Sequence, residues 1–351
     1  MLESELRQSV ANDLLHLVMM PTEACNFRCT YCYEDFRLAR MLPEVVRGVE
    51  HFLSRRAPDL RGLEISWFGG EPLLAFDIVE EVSVHVRDLQ VAYPTLAVKA
   101  GMTTNAYTMS RTRFERLLDL GITHYQIAFD GPRGWHDRKR ILANGHGTFD
   151  RIWANVLSMR DVERPFEVLV RLHVDRENEA ALPEFIRDYA SAFGTDDRFQ
   201  LFIRTLACLG GPQDATLPVF SPEAGGVAVR RLSDLARDLG VRHVTIEQHA
   251  PVCYAARGNS YVVRADGRLN KCTVALEHPN NQVGRIGADG RLDLEVTKMR
   301  NWMRGLWSGD REELECPMRG YADPPAAQAL PLLRSPVRIA AELSTHTPTS
   351  L

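Results

Sequence analysis

Three of the seven cysteines in this 351-residue chain fall close together, as Cys25-Asn26-Phe27-Arg28-Cys29-Thr30-Tyr31-Cys32. Thiolates spaced C-x3-C-x2-C on one loop can take three corners of a cubane iron–sulfur cluster. Ferredoxin-type spacings supply four ligands. This loop supplies three and leaves one iron open to bind something else. Two plainer readings stand beside it. A structural zinc site needs four closed ligands, and the next Cys or His downstream is only His51. The other is a chance group of buried thiols.

Further candidates lie along the chain. Gly69-Gly70-Glu71-Pro72 places two glycines where a backbone with free amides can approach a ligand closely. Glu71 offers a carboxylate to an ammonium group, and a simple tight turn is the alternative. Asn105, Asp130 and Arg171 are polar residues at the ends of, or within, expected strands. Each is either a ligand contact or an ordinary loop or barrel-lining residue. Cys253, Gly267 and Cys272 are spaced C-x13-G-x4-C, so a hairpin turning at the glycine would bring two thiolates to one metal; Cys316-Pro317 follows. Cys208 is the remaining cysteine. It is a cluster ligand, a hydrogen-atom donor to a substrate radical, or a loop thiol packed as a small hydrophobe. The stretch Gly131–Gly147 carries Arg133, His136, Asp137, Arg138, Lys139 and Arg140. It is either a guide for an acidic peptide or a solvated face.

The cysteine triad, with aromatic Tyr31 before its third member, resembles the signature of the radical S-adenosylmethionine (AdoMet) enzymes. The resemblance implies that the open iron of a [4Fe–4S] cluster held by Cys25, Cys29 and Cys32 binds AdoMet. Reductive cleavage then yields a 5′-deoxyadenosyl radical that takes a hydrogen from the substrate, with the protein supplying orientation and a dry pocket. It further implies that Gly69, Gly70 and Glu71 hold the methionyl amine, and that Tyr31, Asn105, Asp130 and Arg171 contact AdoMet or line the substrate cavity. Cys253, Cys272 and Cys316 resemble the ligands of a SPASM domain in its shortened, one-cluster twitch form. No cysteine lies in Trp302–Glu315, so a second auxiliary cluster has no ligands there. Trp67–Pro72, Asp130-Gly131, His136-Asp137 and Gly147–Asp150 extend the likeness, over roughly residues 15 to 322, to maturases of ribosomally made peptides. Those enzymes cross-link side chains through C–C, C–O or C–S bonds, or epimerise residues. The rivals are a radical AdoMet dehydrogenase of an aminocyclitol or sugar in antibiotic synthesis, and a non-catalytic metal-binding structural protein.

These residues need strands to deliver them. Apolar runs and helix signals alternate: strands at Leu15–Met20, Leu63–Phe68, Leu96–Thr103, His124–Phe129, Phe166–Val174 and Phe199–Leu206. Between them lie helices at Leu42–Leu53, after Asp77 as a cap, from Ser110 to a stop at Gly121, at Thr148–Leu157, and near Ala180–Ala190. A last helix opens at Ser221 and ends at Gly240. Strict alternation predicts an α/β fold with a parallel sheet and helices outside. Periodicity does not separate a barrel from an open doubly wound sheet. The resemblance implies a partial (β/α)6 barrel, with the candidates at C-terminal strand ends. Beyond residue 241 short strands at Ser260–Arg264 and Leu269–Val274 replace the alternation. The expected division is an N-terminal arm (1–14), the barrel (15–240), an auxiliary iron–sulfur domain (241–322) and a C-terminal extension with a disordered tail (323–351).

Apolar content of 45% and charged content of 25% are those of a chain with a real core. A net charge of −4 gives no electrostatic reason for nucleic-acid binding. No 18-residue apolar run and no basic-then-apolar start is present, so neither a membrane span nor a signal peptide is expected. A cytoplasmic setting keeps thiols reduced. The expected partners are a precursor peptide and an electron donor such as flavodoxin or ferredoxin; since about 14 residues before the first strand are too few for a leader-gripping module, a separate leader-binding protein or the barrel itself is expected to hold the leader.

Overall fold

The computed structural model describes residues 2–244 and 252–321. Six strands form its centre: β1 (Leu14–Met19), β2 (Gly62–Trp67), β3 (Ala97–Thr104), β4 (Ile122–Phe129), β5 (Glu167–Val174) and β6 (Phe199–Thr205). Each pairs with the next in parallel, so spatial order follows chain order without reversal. A doubly wound sheet reverses order at a switch point; this one does not. It winds one way, as a barrel does. Among the described strands β6 does not return to β1. The free edge of β1 is taken by β7 (Ser260–Val263), also parallel, and β8 (Arg268–Asn270), β9 (Gln282–Ile286) and β10 (Leu292–Leu294) continue the same sheet antiparallel.

A helix α1 (Leu2–Ser9) precedes β1. Helices α2 (Pro43–Arg56), α3 (Phe76–Ala92), α4 (Arg111–Asp119), α6 (Phe149–Met159), α7 (Leu182–Phe193) and α8 (Pro222–Asp238) form the crossovers and the cover, with a short α5 (Arg133–Lys139) after β4. Local chemistry sets their ends. Pro43 and Pro222 stand in first turns, and the Ser110 and Ser221 hydroxyls accept from the Arg113 and Ala224 amides. Gly121 ends the turn after α4 at φ +81°. Asp77 is not a cap: it lies inside the first turn of α3, which Ala75 caps without a side-chain bond, and it pairs with Arg40. Short helices α9 (Val296–Trp302), α10 (Gly305–Ser308) and α11 (Arg311–Glu315) close the described chain.

Strand alternation separates two environments. Ile127, Phe129, Leu172 and Ile203 pack outward and are buried against helices. Behind β4 lies a stack of rings, Phe129, Phe149, Trp153, Phe185 and Phe193. The intervening residues Gln126, Ala128, Arg171, His173 and Arg204 face a cavity.

The second expected C-terminal strand, Leu269–Val274, ends early at Asn270. Lys271 and Cys272 leave the sheet because the Asn281 side chain gathers that turn. Its oxygen accepts from both of their amides at 2.9 Å, and its amide donates to the carbonyls of Cys272 and Ala275. The hairpin does turn at Gly267, which sits at φ +83°. The expected extension at 323–351 lies outside the described residues.

Candidate metal and cofactor site

The cavity occupies the C-terminal ends of β2–β6 and measures about 1150 Å³ out to its open mouth. Cys25, Cys29, Tyr31 and Cys32 line it together with Gly69, Gly70, Asn105 and Arg171. The cysteine loop is strung along the segment after α5 by main-chain bonds. The Arg28 amide donates to Ile141, Thr30 to Lys139 and Ala143 to Asn26, at 2.8–3.0 Å. The stretch Gly131–Gly147 is therefore chiefly a support for this loop. Of its arginines and lysine, only Arg133 and Arg138 are exposed. Lys139 is buried in an ion pair with Asp175, Asp137 caps α6 through the Thr148 and Phe149 amides, and His136 bonds Thr148.

Gly69 and Gly70 are required by sterics. A Cβ on Gly69 would stand 2.3 Å from the Thr22 carbonyl, and one on Gly70 2.4 Å from that of Ala24. Gly69 also has φ +115°, which strains any other residue. The pair thus packs on the backbone that leads into Cys25. Glu71, expected to face an ammonium, instead lies wholly buried beneath the cavity. Its carboxylate accepts from the Leu73 amide at 3.0 Å, the Thr104 hydroxyl at 2.7 Å and the Asn105 amide at 2.6 Å. Asn105 reaches from there to Asn26 at 2.8 Å. Asp130 is also below the surface, bonded to Tyr31 and His173.

The donor set fits an iron–sulfur cluster. Burial pushes the Cys25 and Cys32 thiols up to about 12, so thiolates here need a cation beside them, which iron provides. The Phe27 amide points at the Cys25 sulfur at 3.4 Å. Among the described residues, no three His, Cys, Asp or Glu side chains converge on a single ion's site. A cubane carries its ligands on separate irons, which requires thiolates that stand apart.

Cys253, Cys272 and Cys316 are buried and within electrostatic reach of one another; desolvation pushes Cys253 up to about 12 and Cys272 to about 11. The Val274 amide points at the Cys272 sulfur at 3.4 Å. Tyr33, half-buried and next to Cys32 in the chain, feels the charge of both Cys32 and Cys272. Cys208 stands apart from both. It is half-buried, donates to the Asp214 carbonyl at 3.4 Å, and does not line the cavity, although Ala207 and Leu209 do.

Gln126, His173, Arg204, Arg140 and Glu34 also line the cavity. The first three carry a signal that alternation could have found: they are polar residues on one face of strands otherwise buried on both sides. Arg140 and Glu34 lie on loops, where no period marks them. One Glu34 oxygen is buried without a partner. The chain around the cavity is tied to the C-terminal hairpin by Arg264, which is fully buried against Glu23.

Residues 19–189 match the family model described as the radical SAM superfamily. Among curated proteins the chain is 27% identical over 176 residues to PqqA peptide cyclase of Bradyrhizobium diazoefficiens, covering 49% of this chain and 42% of that protein. It is 33% identical over 180 residues to GTP 3′,8-cyclase of Yersinia pestis, covering 45% and 50%. The chain thus spans about half the length, or less, of these relatives. Among solved structures it resembles native anSMEcpe with bound AdoMet and Kp18Cys peptide (TM-score 0.63, 16% identity, 82% of this chain and 80% of that one). It also resembles Streptococcus suis SuiB bound to precursor peptide SuiA (TM-score 0.59, 14% identity, 84% and 66%). These likenesses establish the fold. No helix among the described residues is long and apolar enough to cross a membrane.

Proposed function

With residues 19–189 a radical SAM domain, we propose that the chain is a maturase that modifies a ribosomally made peptide, by cross-linking side chains or epimerising a residue. When bound, the cluster and AdoMet supply a carbon radical able to take a hydrogen atom from unactivated C–H bonds. Cys25, Cys29 and Cys32 hold the iron. Gly69 and Gly70 present main chain at the cavity wall, while Glu71 works from beneath by fixing the Thr104–Asn105 turn. Asn105 and Arg171 face the space AdoMet would share with substrate. Tyr31, Phe27, Phe36 and Phe68 make the wall apolar enough to exclude water from a reactive intermediate. Cys253, Cys272 and Cys316 hold an auxiliary cluster in the C-terminal segment beyond residue 241. Such a cluster would supply an acceptor for the electron of oxidative bond formation, or a docking point for the peptide.

The observation that carries this reading is the convergence of the cysteine loop, the Gly69-Gly70 turn and Asn105, from three separate strand ends, and of Arg171 from within β5, on one cavity. The peptide is supported by the likeness to PqqA peptide cyclase and by the two solved structures with bound peptides. The likeness to GTP 3′,8-cyclase favours the second reading, a small-molecule substrate. Mass spectrometry of a short peptide encoded beside this chain, co-expressed with it, decides between them. Loss of two hydrogens marks a cross-link, and deuterium gain in heavy water alone marks epimerisation. An unchanged peptide in both solvents contradicts the proposal.

A further inference from the structure

Five polar side chains, four in the cavity wall and Asp130 behind it, form one run of hydrogen bonds that iron ligation does not require. Tyr31 donates to Asp130 Oδ2 at 2.8 Å and accepts from Arg140 Nη1 at 2.9 Å. His173 donates from Nδ1 to Asp130 Oδ1 at 2.7 Å and accepts at Nε2 from Arg171 Nε at 2.6 Å. Asp130 and His173 are 0% and 3% exposed. The protons assign themselves. With Asp130 ionised and His173 neutral, each of these four contacts joins one donor to one acceptor, and the Tyr31 oxygen also stands 3.2 Å from His173 Nδ1. Burial agrees, pushing His173 down to about 4.

The run connects parts of the fold that nothing else in the cavity joins so directly. Tyr31 is on the cysteine loop, Asp130 at the end of β4, His173 and Arg171 on β5, and Arg140 after α5. An aromatic ring ahead of the third cysteine would pack equally well as phenylalanine. The hydroxyl instead meets a buried carboxylate.

We propose that the Tyr31 hydroxyl is a latch. It is a positioning residue that acts through Asp130 to fix the cysteine loop against β4 and β5, and through His173 to hold Arg171 in one pose at the cavity wall. The site is thereby organised before AdoMet arrives. This rests on the radical SAM reading for its functional consequence, though not for the bonding itself.

Tyr31→Phe removes a donor from a buried carboxylate and an acceptor from Arg140, whose Nε already lacks a partner. Hydrogen bonds to charged groups of this kind correspond to roughly a ten- to hundredfold effect. The test compares wild type, Y31F, D130N and the double variant after anaerobic reconstitution. AdoMet is the only ligand and dithionite the reductant. The expected results are full iron at the N-terminal site, a KM for AdoMet raised about tenfold or more in uncoupled cleavage, and an altered AdoMet-induced change in the EPR spectrum of the reduced cluster. The double variant should be no worse than the worse single.

A Y31F protein with wild-type KM and spectrum overturns the latch, even if its melting temperature falls, because that pattern marks a merely structural bond. Should wild type itself release no 5′-deoxyadenosine, the radical SAM reading fails separately. The bonding alone is then judged by the same double-mutant cycle on unfolding free energy, where additive Y31F and D130N effects overturn the Tyr31–Asp130 link on which the latch depends. D130N also serves where Y31F does not load iron.

Discussion

Arg264 at the end of β7 is fully buried and meets Glu23, which is 2% exposed, in a two-point pair: Nε to Oε1 at 2.9 Å and Nη2 to Oε2 at 2.6 Å. Its remaining Nη1 serves the Leu276 carbonyl and Glu277. Replacing Arg264 by Met keeps volume but leaves the Glu23 carboxylate buried with no countercharge. Breaking a buried pair this way costs about 3–5 kcal/mol. With an unfolding entropy of about 2.1 cal/mol/K per residue, a 351-residue chain shifts by about 1.4 °C per kcal/mol, so the melting temperature should drop by roughly 4–7 °C. Since Glu23 stands two residues before Cys25, the strain falls on the cysteine loop, and R264M should also retain less iron. The pair makes a second, sharper forecast. Glu23→Met combined with R264M removes both charges, so the double variant should be more stable than R264M alone. Urea unfolding of the four proteins measures the coupling, and iron analysis after reconstitution reads the loop. An R264M loss under about 1 kcal/mol, the range of an exposed pair, or strictly additive effects would refute the reasoning.

Other consequences follow from the same geometry. Gly70→Ala drives a methyl into the Ala24 and Glu23 carbonyls, 2.4 and 2.6 Å away; overpacking of this kind costs about 1–3 kcal/mol, and AdoMet cleavage should fall with it while Gly134→Ala, in open space, changes neither. Cys272→Ala should halve the iron from about eight to about four per chain, as read by colorimetric iron analysis, while uncoupled AdoMet cleavage persists. Burial pushes His136 and His173 down to about 4, below the unfolded value of about 6.5. The unfolded chain therefore binds more protons between those values. This stability is fully present above pH 6.5 and is lost as pH falls toward 4, by roughly 3 kcal/mol per histidine. Melting curves of the cluster-free chain from pH 7 to 4 should show it, and His136→Gln should flatten the slope.

Much of this architecture was legible in the residues. Six strands and most helices announced themselves because buried parallel strands read as apolar runs and helix starts carry Ser or Pro. Winding direction did not, because periodicity says nothing of strand order; only the pairing of β1 through β6 in chain order resolved it. The cysteine loop and the two glycines were visible as spacing. The donors that claim the Glu71 carboxylate, the Leu73 and Asn105 amides and the Thr104 hydroxyl, were not legible, since a sequence shows that a carboxylate is near but not what it bonds. The Gly131–Gly147 stretch read as a charged run, yet Lys139 and Arg140 are buried by partners far away in sequence, Asp175 and Tyr31. The same blindness hid Arg264, whose companion Glu23 lies 241 positions earlier.

The central claim is that the thiolate trio leaves one iron open for AdoMet. The direct measurement is anaerobic: reconstituted chain, AdoMet and dithionite, with 5′-deoxyadenosine quantified by chromatography beside a Cys29→Ala control. The account predicts product that depends on reductant and vanishes in the control. Bound zinc in place of iron, or a cluster whose irons are all capped by side chains and that releases no 5′-deoxyadenosine, would contradict it.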